Sequence, residues 1–313
     1  MRPHRTSSRV TIWAALGTVY VVWGSTYLAI AIAVQTLPPL LTGSVRFLTA
    51  GLILCAWLAF TGANLRVTAR ELRGAAVVGV LLLASGNGLV MVAERTVPSG
   101  LSALILASIP LWIVVYRRLA GDSIGRELLA GVLLGVAGVA ILVVPGGLSG
   151  AINPIGVLVL LTATLSWALG TFLSPRLGQP RDALVATAYQ MLAGGVALTL
   201  AAAVDGEMAR VDPSTFSLRS IVALLYLITF GSLIGFSAYT WLLQHAPVSL
   251  VATYAYVNPV VAVVLGAIVL SEPVTQTTIA GAAVIVAAVA FIVTRQRTET
   301  RRASREPVAD AAK

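Results

Sequence analysis

The sequence predicts an all-α integral membrane protein, with ten transmembrane helices arranged as two inverted five-helix repeats. Three observations predict it. Hydrophobic residues make up 58% of the chain and charged residues only 11%, with a mean hydropathy of +0.92. A soluble domain carries about 25% charge, so this chain has too little to cover a soluble surface. Charges and turn residues cut the chain into apolar runs of about twenty residues, the length that crosses a hydrocarbon core. Finally, the second half of the chain restates the residue spacing of the first.

The runs follow one another with short separators. The first, 11–33, comes after the basic start MRPHR and is too long for the apolar stretch of a cleaved signal peptide. Pro38–Pro39 opens the second, 39–60. The third, 73–93, follows Arg66, Arg70 and Arg73; the fourth, 97–116, is closed by Arg117–Arg118. The fifth, 127–144, stops at Pro145–Gly146–Gly147, and Asn153–Pro154 opens the sixth, 154–174. Arg176, Pro180 and Arg181 precede the seventh, 183–204. Asp205 to Pro213 separate it from the eighth, 220–243. Pro247 opens the ninth, 247–269, and the tenth is 276–294. Two units result, 11–144 and 154–294, with a polar tail, 295–313, expected to be disordered.

Ten spans put both termini on one side, and arginine selects the side. With the termini in the cytoplasm, seventeen of the twenty-one Lys and Arg residues fall in cytoplasmic segments. Only Arg95, Arg210 and Arg219 lie outside, with Arg46 inside a span. This is the positive-inside pattern of a multi-pass protein of the cell membrane, expected to be a bacterial inner membrane. The net charge of +9 therefore implies a lipid bilayer and no nucleic acid. The single Cys55 lies in an apolar run and allows no disulfide framework.

The repeat is visible at constant offsets. Pro98 and Pro110 recur 149 residues later as Pro247 and Pro259, and Gly86 recurs as Gly235. Earlier in each half an offset of 144 carries Trp23 onto Trp167, Arg46 onto Gln190 and Gly51 onto Gly195. Later, 150 carries Asp122 onto Glu272 and Gly131 onto Gly281. Five is odd, so the second unit enters the membrane from the opposite side. The loops agree: three arginines near 61–73 are replaced near 205–213 by Asp205, Glu207 and Asp212 against one Arg210. Inverted repeats provide inward-open and outward-open states from one fold, which points to a transporter.

Interruptions at matching positions in two such halves mark a site at the membrane midplane. Pro110 and Pro259 cannot donate to Leu106 and Ala255, so each is expected to break its helix. Asn258, Tyr254 and Tyr256 accompany the second break. Arg46, at roughly 2.5–3.5 kcal/mol for a mid-span arginine, either snorkels or faces a cavity and binds a carboxylate. Trp23 and Trp167 lie away from helix ends, where packing or cavity lining accounts for them, and Asn87 follows Gly86. Glu94, Asp122 and Glu272 sit near span ends and read as loop or cap carboxylates. If protons couple to transport, Glu94 is the first candidate. Gly131, Gly135 and Gly138 allow close helix packing within the bundle.

Three stretches carry a family resemblance: VVWGSTYLAIAIAVQTLPPLLTGSVRFLTAG, GNGLVMVAERTVPSGLSALILASIPLW and YAYVNPVVAVVLGAIVLSEPVTQTTIAGAAVIVAAV. They resemble the EamA family of the drug/metabolite transporter superfamily, across almost the whole chain. The resemblance implies ten helices, inverted repeats, a central cavity and alternating access. It also implies export of small organic molecules such as amino acids, related metabolites or drugs. The chain departs from the family where Asp122 replaces the usual glutamate and where Ile109 precedes Pro110.

The expected substrate site lies between the repeats, lined by Trp23, Tyr27, Arg46, Asn87, Trp112, Trp167, Gln190, Tyr239, Tyr254 and Asn258. Aromatic faces would hold the apolar part of a small-molecule substrate, and Arg46 with the amides would orient its polar head. No HExxH, GxSxG or Walker pattern occurs and both histidines lie outside the spans, so neither enzyme, metal site nor cofactor is expected. A channel or facilitator is the rival reading, and a monomer is the expected state.

Overall fold

A computed structural model describes residues 9–122, 125–148, 153–246, 248–251 and 253–303. Regular structure among the described residues is helical throughout. The first half contains α1 (Arg9–Ala33), α2 (Pro39–Phe60), α3 (Ala69–Ala93), α4 (Ser99–Leu119) and α5 (Arg126–Leu148). The second contains α6 (Pro154–Leu173), α7 (Ala183–Asp205), α8 (residues 218–245), α9 (Tyr254–Leu270) and α10 (Gln276–Ala303). By length and composition α1–α4 and α6–α8 can cross a membrane. Helix α9 starts at Tyr254, seven residues later than the sequence reading expects. In α9 the cause is a turn at Thr253, which detaches the short helix Val248–Val251 from the main rod.

The helix starts are written locally. Thr68 and Glu71 form a reciprocal capping box at α3. Asn153, Asp182 and Ser217 each accept backbone N–H bonds at the starts of α6, α7 and α8. Pro39 and Pro154 occupy first turns, where no donor is missed. Other expectations are corrected. Helix α5 continues through Pro145–Gly146–Gly147 to Leu148. Helix α10 runs to Ala303, nine residues into the stretch expected to be disordered; residues 304–313 lie outside the described residues, as does Pro247.

Two features were not expected from the sequence. Residues Val80–Gly88 of α3 and Leu227–Ile234 of α8 are π-helical. They occupy corresponding places in the two halves. A π-helix bonds i to i+5, is rare, and is frequently found at functional sites.

The halves interlock rather than stand side by side. Helix α2 packs along α7, and α5 along α10. Helix α1 packs on α8 and α9, while α6 packs on α3 and α4. Exchanging the halves converts each of these contacts into another on the same list. Gly131 and Gly138 pack against Ile292 and Ile285 of α10, and Gly135 against Leu111 of α4, so all three serve contacts inside the bundle.

Candidate substrate cavity

At the middle of the bundle lies a cavity of about 290 Å³. Helix α1 contributes Trp23, Thr26, Tyr27 and Ile30; α2 contributes Arg46; α3 contributes Asn87 and Val90. From the second half come Trp167 and Thr171 of α6, and Phe236 and Tyr239 of α8. Helices α4 and α9 line it on either side of their prolines, with Leu106, Pro110 and Ile113 facing Tyr254, Ala255, Asn258 and Pro259. Eight of the ten residues singled out from the sequence therefore meet at one cavity.

The other two do not line it. Trp112 is half-buried beside the lining residues Ile109 and Ile113, its indole N–H buried without a partner. Gln190 donates Nε2–H to Gln179 Oε1 at 2.8 Å, toward the loop that follows α6. Its backbone is pressed against Gly79, where a Cβ would come within 2.3 Å of the Gln190 carbonyl oxygen. Repeat offset predicts depth along a helix but not the direction of the side chain around it.

The prolines also behave differently from one another. Helix α4 breaks at Ala107–Ser108 and resumes at Ile109, so Pro110 stands in a fresh first turn. Helix α9 runs unbroken through Pro259, and its interruption falls earlier, at Thr253. The Tyr256 side chain lies outside the described residues.

The two tryptophans are seated by glycines of the opposite half. A Cβ at Gly86 would lie 2.7 Å from Trp167 Cε3, and one at Gly235 would lie 2.4 Å from Trp23 Nε1. Only glycine allows these rings to lie against the π-helical segments. Trp23 Nε1 donates to the Gly231 carbonyl at 3.3 Å, within the π-segment of α8. Around Trp23 stand Tyr239, Tyr254 and Phe236, with ring centroids 5.0, 5.2 and 5.2 Å away. Such tilted and edge-on pairs form an aromatic wall, which suits an apolar group or an organic cation.

The cavity wall also carries a charge. Arg46 is 2% exposed. Its Nε donates to Ser232 Oγ at 3.0 Å, and Nη1 reaches Asn87 Oδ1 at 3.5 Å. Asn258 is buried, with Oδ1 lacking a hydrogen-bond partner. Thr26, Phe236 and Val251 also line the cavity and were not singled out from the sequence. Thr26 is one helical turn from Trp23, and Phe236 one turn from Tyr239, so helical spacing could have found them.

Of the acidic residues expected near the span ends, Glu272 and Asp122 are anchored and Glu94 is not. Glu272 Oε1 and Oε2 accept the amides of Ser99 and Gly100 at 2.7 and 3.0 Å, fastening the end of α9 to the start of α4. Glu207 accepts the amides of Leu40 and Leu41 in the same manner at the start of α2. Asp122 pairs with Arg117 at 2.8 Å. Glu94 is buried, and both its carboxyl oxygens lack partners. Among the described residues no cluster of metal-ligating side chains occurs.

Apolar helices long enough to span, packed around a central cavity, define a helical membrane protein. The model of the EamA-like transporter family matches this sequence twice, over residues 10–144 and 154–294. This chain belongs to the EamA-like transporter family. It is 42% identical over 256 residues to the uncharacterized inner membrane transporter YedA of Escherichia coli (strain K12), covering 82% of this chain and 81% of that protein. It is 28% identical over 286 residues to the uncharacterized transporter YvbV of Bacillus subtilis (strain 168), covering 91% and 92%. A solved crystal structure superposes with a TM-score of 0.62 at 20% identity, covering 93% of this chain and all of that one, which is a likeness of fold.

Proposed function

We propose that this protein is a secondary transporter that exports small amphipathic metabolites, amino acids or related compounds or drugs, from the bacterial cytoplasm. In this reading the ten helices span an inner membrane as two inverted repeats, with both termini cytoplasmic. The exchangeable contacts of α1 with α8 and α9, and of α6 with α3 and α4, support it. So does the arginine distribution. Alternating access then consists of one half rocking against the other around the cavity.

The observation that carries the substrate class is Arg46, a buried cation facing a small cavity with no carboxylate partner among the described residues. A guanidinium has five N–H donors, and here only part of that capacity is used. A solute carboxylate would complete it. Asn258 Oδ1 is a free acceptor, and Leu106 and Ala255, the residues four before the prolines, also line the cavity. Carbonyls left without a proline donor suit an ammonium group. At about 290 Å³ the cavity matches the low end of small-molecule sites, roughly 300–1,000 Å³.

The channel reading needs a continuous polar lining or a ring of charge, whereas most lining residues here are apolar or aromatic. The decisive experiment is overexpression in intact cells, with efflux and resistance measured across amino acids and their toxic analogues. Export against a gradient, lost on Arg46→Gln, supports the proposal. Concentrative uptake without efflux contradicts the direction, and downhill flux alone favours a channel.

A further inference from the structure

We propose that the Glu94 carboxyl is a proton-binding site, holding its proton while the Glu272 end of the bundle is shut and releasing it to water when that end opens. The inference rests on the transporter reading above.

Glu94 directly follows the last residue of α3 and lies one turn beyond Val90, a residue of the cavity wall. It is 7% exposed, and neither carboxyl oxygen has a hydrogen-bond partner. Ser102 and the Ala31 amide are close by. Neither is free to serve it. The Ser102 hydroxyl donates to the Pro98 carbonyl at 3.2 Å, and the Ala31 amide lies inside α1, where it bonds one turn back. Buried Ala93 and Val97 flank the site in sequence, and all belong to one packed apolar cluster with Ala33 and Leu101.

An unpartnered carboxylate in such a place costs several kcal/mol, whereas the neutral acid costs far less. Burial and the negative charge of Glu272 favour the neutral form, and Ser102 and the Ala31 amide oppose them more weakly. Tyr27 of α1 lies within electrostatic reach, and Glu272, from the connection after α9, is near enough to repel a negative charge. Arg95, the adjacent cation in the chain, is exposed.

Glu272 supplies the link to movement. Its carboxylate bridges the end of α9 to the first two amides of α4, where a negative charge is also favoured by the helix dipole. That bridge ties the end of α9 to the start of α4, and the first bridged amide, that of Ser99, follows Glu94 by five positions in the chain. Opening this end must separate α4 from α9, break both bonds and admit water. Glu94 then passes its proton to a water molecule, becoming a carboxylate and leaving a hydronium ion outside. Because Tyr27 and Val90 border the cavity, the same opening exposes the solute.

Infrared titration of the purified full chain from about pH 5 to about pH 10 tests this without a known substrate. A protonated-carboxyl C=O band is expected in the wild type and absent in Glu94→Gln. In Glu272→Ala, with the bridge removed, the band should titrate with at least about tenfold weaker proton affinity. A band that survives Glu94→Gln overturns the proposal, as does one whose titration Glu272→Ala leaves unmoved. A tenfold weakening of proton binding by sodium chloride relative to choline chloride would make it a metal-cation site, which also overturns it. Should Glu94→Gln fail to accumulate, Glu94→Asp is used instead; a band whose frequency and midpoint do not move then counts against Glu94. The two readings fail differently. Absent solute flux with the band intact removes the transporter reading, whereas intact flux without the band removes the proton site alone.

Discussion

The Arg46 Nε–H donates to Ser232 Oγ across 3.0 Å, joining α2 of the first half to the π-helical segment of α8 in the second. This bond fixes the guanidinium plane. The guanidinium is thereby held at the wall of the cavity, with Nη1 toward Asn87. Orientation of this kind matters because a bidentate contact with a carboxylate requires a planar fork already in place.

Replacing Arg46 by Gln should abolish carboxylate-directed transport, lowering the rate at least about tenfold with membrane levels unchanged. Arg46→Lys should recover only part of it, since an ammonium cannot offer the fork. Amidated solutes should lose less than their acids. Quantitative efflux alongside immunoblots of the membrane fraction checks all three expectations; loss of the protein from the membrane would instead assign Arg46 a folding role.

Ser232→Ala should weaken substrate affinity while leaving the maximal rate nearly intact. The loss of one charge-assisted bond is about 1.5 kcal/mol, or roughly tenfold in the half-saturating concentration. Concentration dependence of transport measures it. An unchanged half-saturation would mean that the guanidinium is oriented by Asn87 instead.

Gly235→Ala places a methyl 2.4 Å from the indole nitrogen of Trp23, and Gly86→Ala places one 2.7 Å from the Trp167 ring. Neither ring can slide freely. Each substitution should cost about 1–3 kcal/mol of stability. Thermal unfolding in detergent, with tryptophan emission as a second signal, should show both effects. Wild-type midpoints in both variants would show that the rings have room to move.

Topology is open to labelling in intact cells. In a Cys55→Ser background, Ser214→Cys should react with an impermeant maleimide from outside and Asn64→Cys should not; both positions are exposed in the fold. The reverse pattern would invert the orientation and make the proposed exporter face the wrong way.

Much of this arrangement could be read from residue order, and the exceptions have physical causes. Trp23, Trp167, Arg46 and Asn258 stand out because polar or bulky groups at mid-depth in a span require a reason to be there. Gln190 was misplaced because an offset carries depth and not azimuth. The π-segments escaped because one extra residue per turn leaves no compositional mark: Val80–Gly88 reads as ordinary apolar helix. Glu94 and Glu272 looked solvated because they lie at helix ends. The burial of Glu94 and the anchoring of Glu272 depend on α1, α4 and α9 converging there, a property of packing that no local window contains.

The interlocked halves have a consequence for how the chain is made. When a ribosome has completed residue 148, α2 has been synthesised but α7 and Ser232 have not. The Arg46 side chain must wait in or beside the insertion machinery, at roughly 2.5–3.5 kcal/mol of unfavourable burial, until its partner Ser232, 186 positions beyond it in the chain, has been made. The two homologous units are therefore not two independent folding events. A nascent first unit released early would carry an unsatisfied cation and an uncovered face of α2, features that membrane proteases clear. Co-expression of 1–148 with 149–313 should rescue each fragment from degradation, and neither should persist alone.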